Sequence, residues 1–212
     1  LKEGQRIIPT ISTLAYTVKV PLEIVIVYDF EHEITLPIAR NLKKHMKNIS
    51  LVKNEGEKVV GAISTGFHYA KADIVGIWVP YHVDPFGLIN QMYDKIINEK
   101  CVLISGNRFN KIKKVSRGHP VKKFLSRLGN YTLNRLIGVP IGDITTALKL
   151  YKKDFIIKYP FETNSKGGWS ISTELVIKAA LNGYKMGEVE FLPENTNMIH
   201  GITNFRVFVQ LN

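Results

Sequence analysis

Apolar residues along this chain fall into short unbroken runs that alternate with stretches of helical period. Ile74, Val75, Ile77, Trp78 and Val79 form one such run inside the segment 72–85, ADIVGIWVPYHVDP. It is too short for a typical helix and rich in β-branched side chains, which predicts a strand buried on both faces of a parallel sheet. Pro80 stops the ladder, and a polar loop with His82 and Asp84 follows. Ligands of open α/β sheets bind beyond the carboxyl ends of the strands, so this loop is expected beside the reaction centre. Residues 22–28, LEIVIVY, predict a second buried strand with Asp29 at its C-terminal end. Residues 6–10, RIIPT, read as a short strand that ends at a proline. About a dozen residues separate these two, barely enough for a parallel crossover with its helix, so a short or irregular connection is expected.

Further along, Leu36, Ile38, Ala39 and Leu42 have helical spacing, 49–52 reads as a brief strand, and Asn54-Glu55-Gly56 as a turn. A helix is predicted over about 59–70, where Ala62, Gly66 and Ala70 recur every four residues and let it lie close on the sheet. Residues 86–98 predict another helix, 101–105 a strand, 143–151 a strand, 171–182 a helix closed by Gly183, and 185–191 a last strand. Strands alternating with helices predict an α/β domain with a mostly parallel, doubly wound sheet and helices on both faces.

Charge changes the picture in one region. Between Cys101 and Gly142 there is no acidic residue, while Arg108, Lys111, Lys113, Lys114, Arg117, Lys122, Lys123, Arg127 and Arg135 fall inside. Val121, Phe124, Leu125, Leu128, Leu133 and Leu136 interleave with them, which predicts a basic amphipathic helix from near His119-Pro120. Such helices lie on anionic membrane surfaces or bind phosphates, and an ordinary solvated helix face is the alternative. The chain's net charge of +11 points the same way, to an anionic partner. Nucleic acid is not the expected one, because aromatics are not interleaved as in a stacking platform.

With 212 residues the chain fits one domain, 1–212. Its lone cysteine, Cys101, lies in an apolar run and reads as a buried core thiol in a reducing compartment. No segment approaches the roughly 18 apolar residues that span a bilayer, and LKEGQR has no apolar h-region, so no signal peptide is expected. Leu1 in place of Met suggests a mature form or a fragment. The expected location is cytoplasmic, peripheral at the cytoplasmic face of a membrane.

The order of pieces resembles the family 2 glycosyltransferases of the GT-A fold, nearest to the dolichyl-phosphate mannose synthase and polyprenyl-phosphate glycosyltransferase branch. Ile7-Ile8-Pro9-Thr10 is similar to the family's opening strand, and 23–29, EIVIVYD, to its EIVVVDD, with Tyr28 replacing the first aspartate. Asn54, Gly56, Gly61, Ala62, Gly66 and Ala70 follow its N-x-G, G-A-x-x-x-G-x-x-x-A pattern. Ala72-Asp73-Ile74 and Asp84-Pro85 bracket its central strand and metal motif. Gly106-Asn107-Arg108-Phe109 resembles G-S-R-Y, Asp143-Ile144-Thr145-Thr146 stands where D-x-T-S-G-F is usual, and Glu174, Gly183-Tyr184 and Glu188-Val189 match later motifs.

The resemblance implies a nucleotide-binding half over about 1–106 and an acceptor- and membrane-facing half over about 107–212. It implies inverting transfer of a sugar from a GDP- or UDP-sugar to a polyprenyl phosphate. It assigns substrate binding to Pro9, Asp29, Asn54, Gly56 and Arg108, to which the basic run adds Lys114 and Arg117, and it offers Asp84 or Asp143 as the catalytic residue that orients the acceptor. The family's D-x-D metal motif falls on Val79-Pro80-Tyr81, which carries no carboxylate, and the C-terminal R-x-x-G-x-S-K keeps only Gly201 and Phe205. No metal is therefore expected, and magnesium or manganese enters only if His82 and Asp84 rebuild a site. The basic run from Lys111 to Lys123 stands in for the missing charge. The alternative reading is a catalytically inactive relative that binds a partner, lipid or nucleotide at a membrane surface.

Overall fold

The computed structural model describes residues 4–78, 87–109, 120–162, 170–191 and 206–211. A 3-10 turn, Gly4–Arg6, opens into α1 (Ile7–Thr17), followed by β1 (Leu22–Tyr28), α2 (Thr35–His45), β2 (Ile49–Lys53), α3 (Lys58–Tyr69), β3 (Ile74–Trp78) and α4 (Leu88–Glu99). Then come β4 (Leu103–Asn107), α5 (Pro120–Ile137), β5 (Lys149–Lys152), α6 (Lys153–Lys158), α7 (Ser170–Leu181), β6 (Met186–Glu190) and β7 (Arg206–Leu211). The strands form one sheet in the order β2-β1-β7-β3-β5-β4-β6. β1, β2, β3, β4 and β6 run one way, and β5 and β7 run against them, so the mostly parallel α/β sheet expected from the sequence is present.

The two faces of the sheet carry separate cores. Ile24, Ile26, Ile74 and Trp78 point to one, under α1, α2 and α4, with Ile11, Leu36, Met92 and Ile96. Val25, Val27, Val75 and Ile77 point to the other, under α3, α6 and α7, with Ala62, Phe67, Phe155 and Leu175. Side chains of a strand alternate between faces, so the unbroken apolar runs of β1 and β3 are what two-sided burial requires. Gly76 lets β3 and β5 meet: a Cβ there would lie 2.6 Å from Leu150 Cδ2 and 3.1 Å from the Lys149 carbonyl. Cys101 is fully buried, and burial, with Glu99 nearby, raises its thiol above the ordinary range.

Two expectations are corrected. Residues 6–10 are not a strand. Ile7, Thr10, Ile11 and Leu14 are buried at i, i+3, i+4 and i+7, so the period that continues past Thr10 decides for a helix. Pro9 sits in its first turn, exposed, where the missing N–H breaks no intrahelical bond. Pro9 therefore lies in a helix and does not end a strand. β7, which the sequence reading did not include, lies between β1 and β3, antiparallel to both. Second, the strand expected over 143–151 is confined to Lys149–Lys152, because the residues before it are engaged in the site described below.

The helical assignment of α1 has a direct test. Ile11→Ala should cost about 2–5 kcal/mol in urea denaturation, as for a fully buried core isoleucine. Pro9→Ala should stay within about 1 kcal/mol of the parent, since it lies on the exposed side of a first turn.

Candidate functional site

Asp29 follows β1, Asn54 follows β2 and Arg108 follows β4, all at the C-terminal edge of the parallel strands. Asp143 precedes β5, which runs the opposite way, so it reaches the same edge. The fold thus gathers these predicted residues into two clusters.

The first cluster is the loop after β2. The Asn54 backbone N–H donates to the Tyr28 carbonyl at 2.8 Å, and its side-chain amide donates to Asp29 Oδ1 at 2.6 Å. Its side-chain oxygen accepts from the Gly56 N–H at 3.0 Å and from Thr65 Oγ1 at 3.3 Å. Gly56 and Gly61 pack backbone on backbone: a Cβ on Gly61 would meet the Gly56 carbonyl carbon at 2.4 Å. That contact folds the loop down onto α3, so both glycines are steric requirements. Asp29, Asn54 and Gly56, quoted from separate motifs, thus lie together.

The second cluster centres on Arg108. Its Nε donates to Asp143 Oδ2 at 2.7 Å, and its Nη2 donates to Asp143 Oδ1 at 2.9 Å and to Thr145 Oγ1 at 3.0 Å. The Arg108 backbone N–H adds a contact to Asp143 Oδ2 at 3.2 Å. Asp143 is fully buried, whereas 37% of the Arg108 side chain is exposed. The fork–fork geometry expected for a phosphate is thus spent on a carboxylate, and the remaining Nη1 edge has no hydrogen-bond partner among the described residues. The buried ion pair holds a half-exposed cation at the sheet edge in one orientation.

Around this pair the polar groups are closely matched. Ser105 Oγ donates to the Asp143 carbonyl at 2.9 Å. Glu188 accepts from Asn107 Nδ2 at 3.0 Å and from the Gly142 N–H at 2.6 Å. On α5, Asn130 accepts from the Ile144 N–H at 2.7 Å and Asn134 donates to the Ile141 carbonyl at 2.9 Å. These two asparagines, four residues apart on one helix face, tie α5 to the loop that carries Asp143. Lys149 is fully buried, its ammonium donating to the Ile144 carbonyl at 2.9 Å, to Ser172 Oγ at 2.8 Å and to the Thr146 carbonyl.

Burial lowers Lys149 from 10.5 to about 7; the Asp143 charge opposes that shift and Arg108 adds to it. For Asp143, burial pushes the carboxyl up, but the Arg108 hydrogen bonds and charge, with Lys149 behind them, outweigh it and leave the group below its ordinary value. Asp143 therefore stands as an ionised partner of Arg108 at neutral pH.

Asp84, His82, Lys114 and Arg117 lie outside the described residues, as does the C-terminal motif around Gly201. Among the described residues no three His, Cys, Asp or Glu side chains gather as a metal site. In the sequence, the position expected for the D-x-D motif reads Val79-Pro80-Tyr81, which has no carboxylate for a hard cation. That position and the alternative pair, His82 and Asp84, lie outside the described residues. Thr65, Asn107, Thr145, Lys149 and Glu188 were not assigned to the site from the sequence. Asn107 and Glu188 sit inside quoted motifs, but their meeting needs the parallel pairing of β4 with β6. Lys149 reads as a strand residue, and nothing local reveals its burial.

Comparison with known proteins agrees with this architecture. A family model described as Glycosyl transferase family 2 matches residues 2–159, and the chain belongs to that family. A curated dolichyl-phosphate hexose transferase of Haloferax volcanii is 28% identical over 98 residues, 44% of this chain and 39% of that protein. The matched stretch thus spans well under two thirds of that relative's length. Among solved structures, glucosyl-3-phosphoglycerate synthase of Mycobacterium tuberculosis superposes with a TM-score of 0.64 at 13% identity, covering 92% of this chain and 70% of that one. Its complex with Mn2+, UDP and glucosyl-3-phosphoglycerate gives 0.63 at 15% identity, covering 93% and 70%. At such identity the likeness establishes the fold.

The buried lysine sets a pH dependence. The unfolded chain keeps the Lys149 proton to about 10.5, while the folded chain releases it near 7, so the unfolded state binds more protons in between and stability rises with pH. Asp143 acts lower down: its contribution is complete above the ordinary carboxylate value and is lost as pH falls through its lowered folded value. Urea melts at pH values from about 7 to 9.5 should show stability increasing for the parent, and Lys149→Met should flatten that slope.

Proposed function

We propose that this domain transfers a hexose from a nucleotide sugar to a polyprenyl phosphate at an anionic membrane face. The observation that carries the reading is the Arg108–Asp143 clamp at the sheet edge of a family 2 glycosyltransferase. In the transfer, an acceptor phosphate oxygen attacks the anomeric carbon as the bond from that carbon to the nucleoside diphosphate breaks. The leaving diphosphate takes the electron pair, and the direct displacement inverts the anomeric centre. A phosphate acceptor is already an anionic nucleophile, so no strong base is required. The need is for positive charge where phosphates gather. Arg108 supplies one fixed cation, with Asp143 as its positioning residue, and Lys114 and Arg117 belong to the same acid-free run. Asp29, Asn54 and Gly56 form the nucleoside side, and Asp84 is the remaining carboxylate for orienting the acceptor. No step is routed through a metal.

Two features support the donor and acceptor classes. The solved relatives include complexes with UDP and UDP-glucose, and the haloarchaeal relative is named for dolichyl-phosphate transfer. α5 supports the membrane face: Phe124, Leu125, Leu128 and Leu136 are exposed on the side away from Asn130 and Asn134. An apolar stripe beside Arg127 and Arg135 suits the boundary between anionic headgroups and acyl chains. Among the described residues no helix is long and apolar enough to cross a membrane.

The second reading, a non-catalytic relative, rests on Val79-Pro80-Tyr81 in the metal slot. Transfer of labelled hexose from GDP- or UDP-sugars into lipid-extractable polyprenyl phosphate separates the two. Turnover is expected, with kcat reduced about a hundredfold in Arg108→Ala. Donor binding without any turnover would favour the second reading. Sedimentation with phosphatidylserine vesicles should be salt-sensitive and weakened by Leu128→Glu, while neutral vesicles should retain little protein.

A further inference from the structure

The segment that follows β1 carries an exposed aromatic pair with no part in the clamp. Phe30 and His32 stack with ring centroids 5.5 Å apart and an interplanar angle of 22°. Both are exposed, Phe30 to 51%, so the pair is not a piece of the core. The turn that holds them is closed by the Glu33 N–H donating to the Phe30 carbonyl at 3.3 Å. Glu31, between the rings, is fixed from two sides: Tyr28 OH donates to its Oε1 at 2.9 Å, and Arg40 Nη2 donates to its Oε2 at 2.7 Å. The Tyr28 hydrogen bond, ahead of the Arg40 contacts, keeps the Glu31 carboxyl below its ordinary value, so the anchor stays ionised at neutral pH.

The position of this turn gives the pair a use. Tyr28, which anchors Glu31 by its hydroxyl, accepts the Asn54 N–H by its carbonyl, and Asp29, the neighbour of Phe30, accepts the Asn54 side-chain amide. The aromatic turn and the Asp29–Asn54–Gly56 loop are therefore one hydrogen-bonded framework at the carboxyl edge of β1 and β2. Ligands of such sheets bind at that edge. A flat heterocycle gains by stacking on an aromatic ring whatever its edge pattern, because every base presents a π-face. We propose that the Phe30–His32 pair is the stacking platform for the base of the donor nucleotide, with Asp29 beside it for the polar groups of the nucleoside. This rests on the transferase reading and adds to it the residues that grip the base. A pair held in place before the ligand arrives loses little side-chain freedom on binding.

The test is isothermal titration of the parent and of Phe30→Ala, Phe30→Leu, Phe30→Tyr and His32→Ala with UDP, with GDP and with inorganic pyrophosphate, the last lacking a base. Phe30→Ala and Phe30→Leu should each weaken both nucleotides roughly tenfold and leave pyrophosphate unchanged. Phe30→Tyr should bind as the parent does, and His32→Ala should fall between. Phe30→Leu keeps an apolar side chain on the turn, so its loss of affinity reports the ring and not a collapsed loop. The proposal is overturned if the parent binds nucleotide and both ring-deleting variants bind it equally well. It is overturned equally if pyrophosphate is lost in parallel with the nucleotides. If the parent binds neither nucleotide, the transferase reading falls first and this inference with it.

Discussion

Burial of one sheet on both faces is the constraint on which the rest depends. β1 and β3 have cores above and below, so their side chains are committed to packing and only their ends are available for chemistry. Polar residues that follow these strands are thereby collected along one edge. Helices that cover the faces also fix the loops: α3 receives the Asn54–Gly56 turn, and α5 holds residues 141–144 through Asn130 and Asn134. The site is a consequence of where the sheet stops.

At that edge a second constraint acts, the cost of a buried charge. Asp143 is fully enclosed and is tolerated only because Arg108, the backbone N–H of Arg108 and the nearby Lys149 compensate it. A buried ion pair of this kind adds little net stability, but losing one partner leaves an uncompensated charge. Its value here is geometric. The carboxylate fixes the plane of the guanidinium and leaves one edge of it toward solvent, which is how a cation can be set for phosphate without a metal ion. The same logic explains why the residues before β5 do not continue the strand, since Asp143, Thr145 and Thr146 are occupied with Arg108 and Lys149.

Much of this was legible in the sequence, and the exceptions have physical causes. β1, β3 and β4 were readable because two-sided burial writes itself as unbroken apolar runs, and α2, α3, α4, α5 and α7 because one-sided burial writes a 3.6-residue period. Residues 6–10 misled, because three apolar or β-branched residues and a proline look like a strand end until Ile11 and Leu14 are counted with them. β7 was invisible as a central strand, because its antiparallel pairing with β1 and β3 joins residues far apart in sequence. Asp29 was quoted in one motif and Asn54 with Gly56 in another, and the hydrogen bond that joins them was not legible. The pairing of Arg108 with Asp143 was not, since each was read alone and a bidentate bond between them needs the third dimension.

The central claim is that the edge of this sheet binds a nucleotide sugar through protein cations and not through a divalent metal. Thermal melting with a panel of GDP- and UDP-sugars, each with and without magnesium or manganese, tests it most directly, because a ligand specific to the native state raises the melting temperature. The account predicts a rise with at least one donor that is the same in metal and in chelator, and that is reduced in Arg108→Ala. A rise that requires metal, or no rise with any donor at millimolar concentration, would contradict it.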